Sequence, residues 1–169
     1  YLKKRIYTYK MDTKSESIAL EKYKTFDHIE KAKFRALIKD SFKRELTLDY
    51  FSYAKPKIII IAKDRNNYLG AVVVEKISKD IDYLDKIAVA PNFQGNGIGK
   101  RMLNLLGDET KLVWRAKENN LINDFYKKQC DGMQKAGNWI IYWKGLNLED
   151  IKIGIKYALS KKETLGDIK

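Results

Sequence analysis

Gln94-Gly95-Asn96-Gly97-Ile98-Gly99-Lys100 places three glycines within five positions, directly after an apolar run, Ile87-Ala88-Val89, and a proline, Pro91. Glycine lacks the Cβ atom that keeps a ligand away from the backbone. The first amides of a helix have no partner within it and attract anions. A short strand, a glycine-rich turn and a helix start, in that order, therefore make an anion site suited to phosphate. Two common phosphate loops fail on spacing. A GxxxxGK[ST] loop ending at Gly99-Lys100 needs glycine at Gln94 and a hydroxyl residue at Arg101. A GxGxxG dinucleotide loop starting at Gly95 needs glycine where Lys100 stands, and no convincing acidic partner follows on a second strand.

The loop needs a scaffold, and the hydropathy pattern supplies one. RIYTY, from Arg5, alternates as a strand does, and ALEKYKTF, from Ala19, reads as another. Asp27 with Glu30 has capping-box spacing and predicts a helix to Phe42, with Ile29, Ala32, Ala36 and Leu37 on its apolar face. Asp49 to Tyr53 predicts a short helix or turn. Lys55-Pro56 is a break, and KIIIIAKD, YLGAVVVEKI and DYLDKIAVA follow as three strands, the last ended by Pro91. Beyond the loop, Ile98, Met102, Leu105 and Leu106 share one helix face. KLVWRAK is a strand, NNLINDFYKKQC a helix with Leu121, Ile122, Phe125 and Tyr126 on one side, DGMQKAG a loop, and NWIIYWKGL a strand buried on both faces. Asn147, with Asp150 three residues on, caps a helix carrying Leu148, Ile151, Ile155, Ala158 and Leu159. The pattern predicts an α+β fold with a single mixed central β-sheet flanked by helices. Residues 1–25 read as an extension or a first strand, and residues 26–169 as the functional domain.

Composition narrows the classes. The chain has 169 residues, enough for one ordinary domain. One cysteine, Cys130, and one histidine, His28, leave no internal disulfide, no metal-ligand cluster and no triad with a second histidine. His28 sits at a helix start and reads as a surface residue. No apolar run approaches the ~20 residues that cross a bilayer. Thirty-four basic against 22 acidic residues give a net charge of +12, but the excess is lysine spread along the chain. No arginine-rich or aromatic-interleaved stripe appears, so neither nucleic acid nor membrane is the expected partner. Tyr1 opens the sequence where methionine opens a nascent chain. Two expectations follow: a trimmed stand-alone protein, or a piece of a longer one.

The loop fits Gln/Arg-x-x-Gly-x-Gly/Ala, and with IAVAP before it resembles the acetyl-coenzyme A pyrophosphate loop of the GNAT N-acetyltransferases. A second stretch narrows the resemblance. Trp114-Arg115-Ala116-Lys117, Asn119-Asn120-Leu121-Ile122-Asn123 and Phe125-Tyr126 are followed by Cys130-Asp131-Gly132 and by Trp139-Ile140-Ile141-Tyr142-Trp143-Lys144-Gly145-Leu146. With YLDK at 83–86 and SFKRELTLDY at 41–50, this run is similar to the acetyltransferase domain of vertebrate-like N-acetylglutamate synthases, including bifunctional synthase/kinases. The resemblance covers about residues 26 to 160 and joins several motifs in order. It departs from the family in having Leu121 and Asp124 where prolines are usual, Cys130 for serine, Lys117 for arginine and Arg44 for lysine.

The resemblance implies a GNAT fold, acetyl-CoA as cofactor with no metal, and transfer of acetyl to the α-amine of glutamate, the arginine-biosynthesis step. It implies that Ile87, Ala88, Val89, Gln94, Gly95, Asn96, Gly97, Ile98, Gly99 and Lys100 hold the cofactor. Arg44, Lys86, Arg115 and Lys117 then bind the two carboxylates of the acceptor. Arg115 and Lys117 alternate on one strand and so share a face. Tyr126 becomes the proton donor to the departing thiolate, since a phenol of pKa about 10 is protonated at neutral pH. Asn120 orients the amine. Read without the resemblance, the four cations are ordinary surface residues and Tyr126 is a core residue beside Phe125. The expected partner is the amino-acid substrate, glutamate, with either a second copy of the chain or an amino-acid kinase domain as a further one. The implied compartment is the cytoplasm, or the mitochondrial matrix in a eukaryote. Two other activities stay open: a non-catalytic module that regulates a kinase, and a GNAT enzyme acting on another amine or a protein.

Overall fold

The computed structural model describes residues 6–10 and 17–168. In chain order the elements are β1 (Ile6–Lys10), β2 (Ser17–Tyr23), α1 (Lys31–Phe42), β3 (Glu45–Leu46), α2 (Tyr50–Tyr53), β4 (Pro56–Asp64), β5 (Asn67–Lys76) and β6 (Asp82–Val89). A 3-10 turn at Pro91–Phe93 follows, then α3 (Ile98–Asn104), β7 (Leu112–Lys117), α4 (Asn123–Gln129), β8 (Gly132–Ala136), β9 (Trp139–Lys144), α5 (Leu148–Ser160) and β10 (Leu165–Gly166). Hydrogen bonding orders the main sheet β1-β2-β4-β5-β6-β7-β9-β8. β6 and β7 pair in parallel at Asp82↔Leu112 and Tyr83↔Val113, whereas β1–β2, β2–β4, β7–β9 and β8–β9 are antiparallel. The sheet is thus mixed, as the α+β reading expected. A second, two-stranded sheet joins β3 to β10; two-residue strands leave no periodicity for a sequence to show.

The contacts divide the chain into two units. One holds residues 1–74, 86–106 and 163–169, the other residues 75–85 and 107–162, and β5 and β6 contribute to both. In the first unit, Ile59, Ile61, Ala71, Val73 and Ala88 of the sheet bury against Phe34, Leu37 and Ile38 of α1 and against Phe26, Ile29 and Tyr50. Rings of Phe26, Phe34, Tyr50 and Phe51 meet at centroid distances of 5.0 to 6.2 Å, mostly edge to face. Each fully buried side chain of this kind contributes about 1.5–3 kcal/mol. α1 starts at Lys31, not at Asp27, and its N-cap, Glu30, makes no side-chain capping bond. The expected capping box is replaced by a turn in which Ile29 N–H donates to Phe26 O at 3.1 Å, while the Asp27 carboxylate accepts from Thr25 Oγ1. Burying Phe26 and Ile29 together favours that turn over four more helical residues. Exposed His28 fits its surface expectation. The part of the N-terminal expectation at residues 1–5 and 11–16 lies outside the described residues.

In the second unit, Ile81, Tyr83, Val113, Ile141 and Ala158 form one core cluster. α5 begins as expected: Asp150 N–H donates to Asn147 Oδ1 at 2.9 Å. It lies close over β7 because of Gly154, where a Cβ atom would sit 2.5 Å from Val113 Cγ2. Two expectations are corrected here. Residues 132–136 form strand β8, not loop; they are half-buried or exposed because β8 is an edge strand, and with no buried face they show no apolar alternation. β9 is buried on both faces only at its centre: Ile141 and Tyr142, adjacent and so on opposite faces, are both buried, while the rest of the strand is half-buried or exposed.

A buried ion cluster gave no sequence signal. Lys161 Nζ contacts the carboxylates of Glu75 and Asp85, the latter at 3.8 Å, and all three side chains are at most 6% exposed. Burial alone pulls the Lys161 pKa down, but the two carboxylates reverse this and hold it above its ordinary value.

Candidate active site

The glycine loop belongs to the first unit. β6 ends at Val89 and the 3-10 turn opens on Pro91, as the missing amide of proline requires. Gly95 and Gly97 have φ of +83° and +78°, a left-handed conformation that side chains disfavour, and nothing lies within 4 Å of the space either Cβ atom would fill. Gly97 is the N-cap of α3, whose first helical bond runs from Arg101 N–H to Gly97 O. The amides of Ile98, Gly99 and Lys100 come before that bond. α3 has only seven residues, so its dipole is small and the anion site rests on the loop amides. Ile98 is buried and anchors the loop, while Gln94, Gly95, Asn96, Gly97 and Lys100 are exposed. Gln94 latches the turn by donating from Nε2 to Val89 O at 3.0 Å, a carbonyl that also accepts from Ser41 Oγ. Ile87 and Ala88 are buried and Val89 is half-buried. A loop that exposes left-handed glycines and helix-start amides fits the pyrophosphate of a coenzyme A ester.

Arg44 and Lys86 lie in the same unit, and both reach the segment around β10. Arg44 Nη1 pairs with Glu163 Oε1 at 2.9 Å, Nη2 donates to Leu165 O at 2.7 Å, and Nε is 3.8 Å from Asp167 Oδ1. Lys86 is 6% exposed. Its ammonium donates to Thr164 Oγ1 at 2.8 Å and lies 5.2 Å from the Tyr50 ring centroid.

Arg115, Lys117, Asn120 and Tyr126 lie in the second unit. Arg115 and Lys117 share a face of β7, as alternation predicts, and both meet the indole of Trp139, at 4.0 and 3.9 Å from its centroid. Arg115 also donates from Nη1 to Ala158 O at 2.6 Å and from Nη2 to Lys161 O at 2.7 Å, and so caps the end of α5. Two of its five N–H donors are thereby engaged.

α4 starts at Asn123, later than the sequence pattern suggested, and Leu121 is 99% exposed instead of lying on the apolar side. The turn before it holds the asparagines. Asn120 Oδ1 accepts from Ile122 N–H at 3.1 Å, and buried Asn123 donates to Lys117 O and Glu118 O. These local bonds give the backbone an alternative to the helix and delay its start. The role of Asn123 was visible only as a polar residue within an apolar helix face.

Tyr126 is buried and packs with Trp114 and Tyr142 at centroid distances of 5.5 to 5.9 Å. Burial first, and the neighbouring Tyr142 second, raise its pKa above the ordinary phenol value. Its hydroxyl therefore stays protonated across the neutral range. In this aromatic cluster Trp114 Nε1 and the Tyr142 hydroxyl are buried without a hydrogen-bond partner. Half-buried Cys130 has its thiol pKa raised by burial, which makes it a poor nucleophile. Among the described residues no three His, Cys, Asp or Glu side chains converge to hold a metal ion, and no helix is long and apolar enough to cross a membrane.

The sheet order and the loop define the fold of a GNAT acetyltransferase. A GNAT acetyltransferase from Elizabethkingia anophelis, solved with acetyl-CoA bound, aligns with a TM-score of 0.55 at 17% identity, covering 76% of this chain and 98% of that one. Residues 14–161 match the family described as NAT, the N-acetyltransferase of N-acetylglutamate synthase, and the chain belongs to that family. Among curated relatives, an acetylglutamate kinase of Xanthomonas campestris is 34% identical over 147 residues, covering 83% of this chain and 34% of that protein. The mitochondrial N-acetylglutamate synthase of Danio rerio is 31% identical over 130 residues, covering 76% of this chain and 25% of that protein. The chain thus spans between a quarter and a third of the length of these relatives.

Proposed function

We propose that this chain is an amino-acid N-acetyltransferase that acetylates the α-amine of L-glutamate. The observation that carries the reading is the family match over residues 14–161, which includes the loop and every proposed acceptor residue. Acetyl-CoA supplies the acetyl group as a thioester. The amides of Gly95 to Lys100 hold its pyrophosphate, and the main chain of Ile87, Ala88 and Val89 orients its pantetheine amides, with one N–H polarising the thioester carbonyl. Arg44, Lys86, Arg115 and Lys117 bind the acceptor carboxylates. Asn120, whose carbonyl is engaged by Ile122 N–H, offers its Nδ2 donor to the oxygen of the tetrahedral species. The neutral amine attacks the thioester carbon, and the C–N bond forms as the C–S bond breaks. The Tyr126 hydroxyl gives its proton to the departing thiolate, and the proton lost by the amine passes to water, from which the phenol is reprotonated. The raised pKa of Tyr126 keeps its hydroxyl protonated across the neutral range, the form this role needs, while making it a weaker acid than an ordinary phenol.

The test is turnover of acetyl-CoA, followed by release of the coenzyme A thiol, over a panel of amino acids, polyamines and peptides. Glutamate is the expected best acceptor. If glutamate is inactive while another acceptor turns over, the substrate assignment is wrong.

The length and name of the Xanthomonas relative support a second reading, in which the chain works joined to an amino-acid kinase domain and regulates it. Binding of acetyl-CoA without turnover across the whole panel favours that reading. The first reading carries a cytoplasmic location, or the mitochondrial matrix in a eukaryote.

A further inference from the structure

Helix α4 has seven residues, too few to hold its place by helical hydrogen bonds alone. Of its side chains only Asn123 and Tyr126 are buried, three residues apart and so on one face. Tyr126 packs into the aromatic cluster with Trp114 and Tyr142. Asn123 reaches β7 instead. Its Nδ2 donates to Lys117 O at 3.0 Å and to Glu118 O at 2.9 Å, and Lys117 is the last residue of that strand. The backbone closes the same turn: Asn120 N–H donates to Lys117 O at 3.0 Å, and Asn123 N–H to Asn120 O at 3.1 Å. Two carbonyl partners fix which end of the Asn123 amide is nitrogen. Its oxygen is left buried with no partner among the described residues. An unpaired buried acceptor lowers stability, so an apolar side chain of similar size would serve the packing at least as well. What the amide supplies is a fixed placement of α4 on the end of β7.

We propose that Asn123 is a positioning residue for acetyl transfer, tying the helix that carries Tyr126 to the strand that carries Arg115 and Lys117. This rests on the reading above, in which β7 binds the acceptor and Tyr126 protonates the departing thiolate. Asn123 acts through these residues. Its two bonds set where the Tyr126 hydroxyl stands relative to β7, and they close the turn that carries Asn120. A displacement of about 1 Å in such an arrangement can cost about a hundredfold in rate.

Steady-state kinetics of Asn123→Leu and Asn123→Ser, each alone and with Tyr126→Phe, test this. The acceptor used is the amine that turns over best, so a wrong glutamate assignment leaves the test intact. Asn123→Leu removes the donors and the unpaired oxygen at similar volume. Lys117 O keeps its bond from Asn120, and exposed Glu118 is open to water, so the urea midpoint is expected to stay close to wild type. The kcat is expected to fall about ten- to hundredfold, with the KM for acetyl-CoA within about twofold of wild type. Asn123→Ser keeps one donor and is expected to fall between; it carries the same comparison if Asn123→Leu does not fold. In the Tyr126→Phe background either substitution is expected to change kcat by less than about twofold, because the two residues act as a unit. Fluorine NMR of a fluorotyrosine placed at position 126 reads the ring without turnover, and its line is expected to shift or broaden in the Asn123 variants. Where Tyr126→Phe is too slow for the comparison, that line decides. An unchanged kcat, an equal loss in both backgrounds or an unmoved fluorine line overturns this proposal alone. No turnover by wild type with any acceptor overturns the function reading, and this proposal with it.

Discussion

Replacing Arg115 by alanine separates what its guanidinium does for the fold from what it does for a substrate. The group donates to Ala158 O and Lys161 O at 2.6 and 2.7 Å and lies 4.0 Å over the Trp139 ring. A hydrogen bond from a charged donor contributes about 1.5–3 kcal/mol, and partial exposure puts these two near the lower figure. The contact with Trp139 adds about 0.5–1 kcal/mol. Water can reach the freed carbonyls at the end of α5 and recovers part of the loss. The expected destabilisation is about 3 kcal/mol, which in a domain of this size lowers Tm by about 6–12 °C. Arg115→Lys keeps the charge but not the fork, and should lose about half as much. The assay is urea unfolding followed by tryptophan fluorescence, with a reduced midpoint and an unchanged slope. A change below about 0.5 kcal/mol, the ordinary effect of a surface substitution, would refute the capping role and leave Arg115 as a solvent-facing cation.

Four further outcomes are expected. Asn147→Ala removes the side-chain cap of α5 and should cost about 1 kcal/mol in the same assay, with Asn147→Asp close to wild type. Gly154→Ala drives a methyl group into Val113 and should cost about 1–3 kcal/mol, recovered in part by Val113→Ala. Cys130 should react with iodoacetamide at pH 7 more slowly than free cysteine, because burial raises its pKa and lowers the thiolate fraction; a faster reaction contradicts that environment. Tyr126→Phe should lower kcat more than it raises KM. Because the Tyr126 pKa is raised, its proton is lost only above the ordinary phenol range, so the wild-type rate should show no fall due to this group up to about pH 10. A falling limb near pH 8–9 that vanishes in Tyr126→Phe would contradict the assignment.

Much of the chain was legible because its cues are local. Ile87 to Lys100 reads as strand, proline, glycine turn and helix, and folds that way because proline and left-handed glycines dictate the backbone. Asn147 and Asp150 announce a cap and form one. The alternation of Arg115 and Lys117 predicts their shared face, and both meet Trp139. What stayed hidden depends on distant partners. β8 is an edge strand, so it has no buried face to leave a pattern. The start of α1 was decided by burying Phe26 and Ile29, and that of α4 by asparagine bonds to nearby backbone. Thr164 and Glu163 carry no motif, yet they meet Lys86 and Arg44 across 78 and 119 residues of sequence. The ion cluster of Lys161, Glu75 and Asp85 is invisible for the same reason.

The most direct measurement is of the product itself. The chain is incubated with acetyl-CoA and α-15N-labelled glutamate, and the acetylated product and free thiol are quantified together by mass spectrometry and thiol titration. The account predicts N-acetylglutamate carrying the 15N label on its amide, formed one-for-one with coenzyme A. Thiol release without that product, or no release with glutamate while another amine is acetylated, would contradict it.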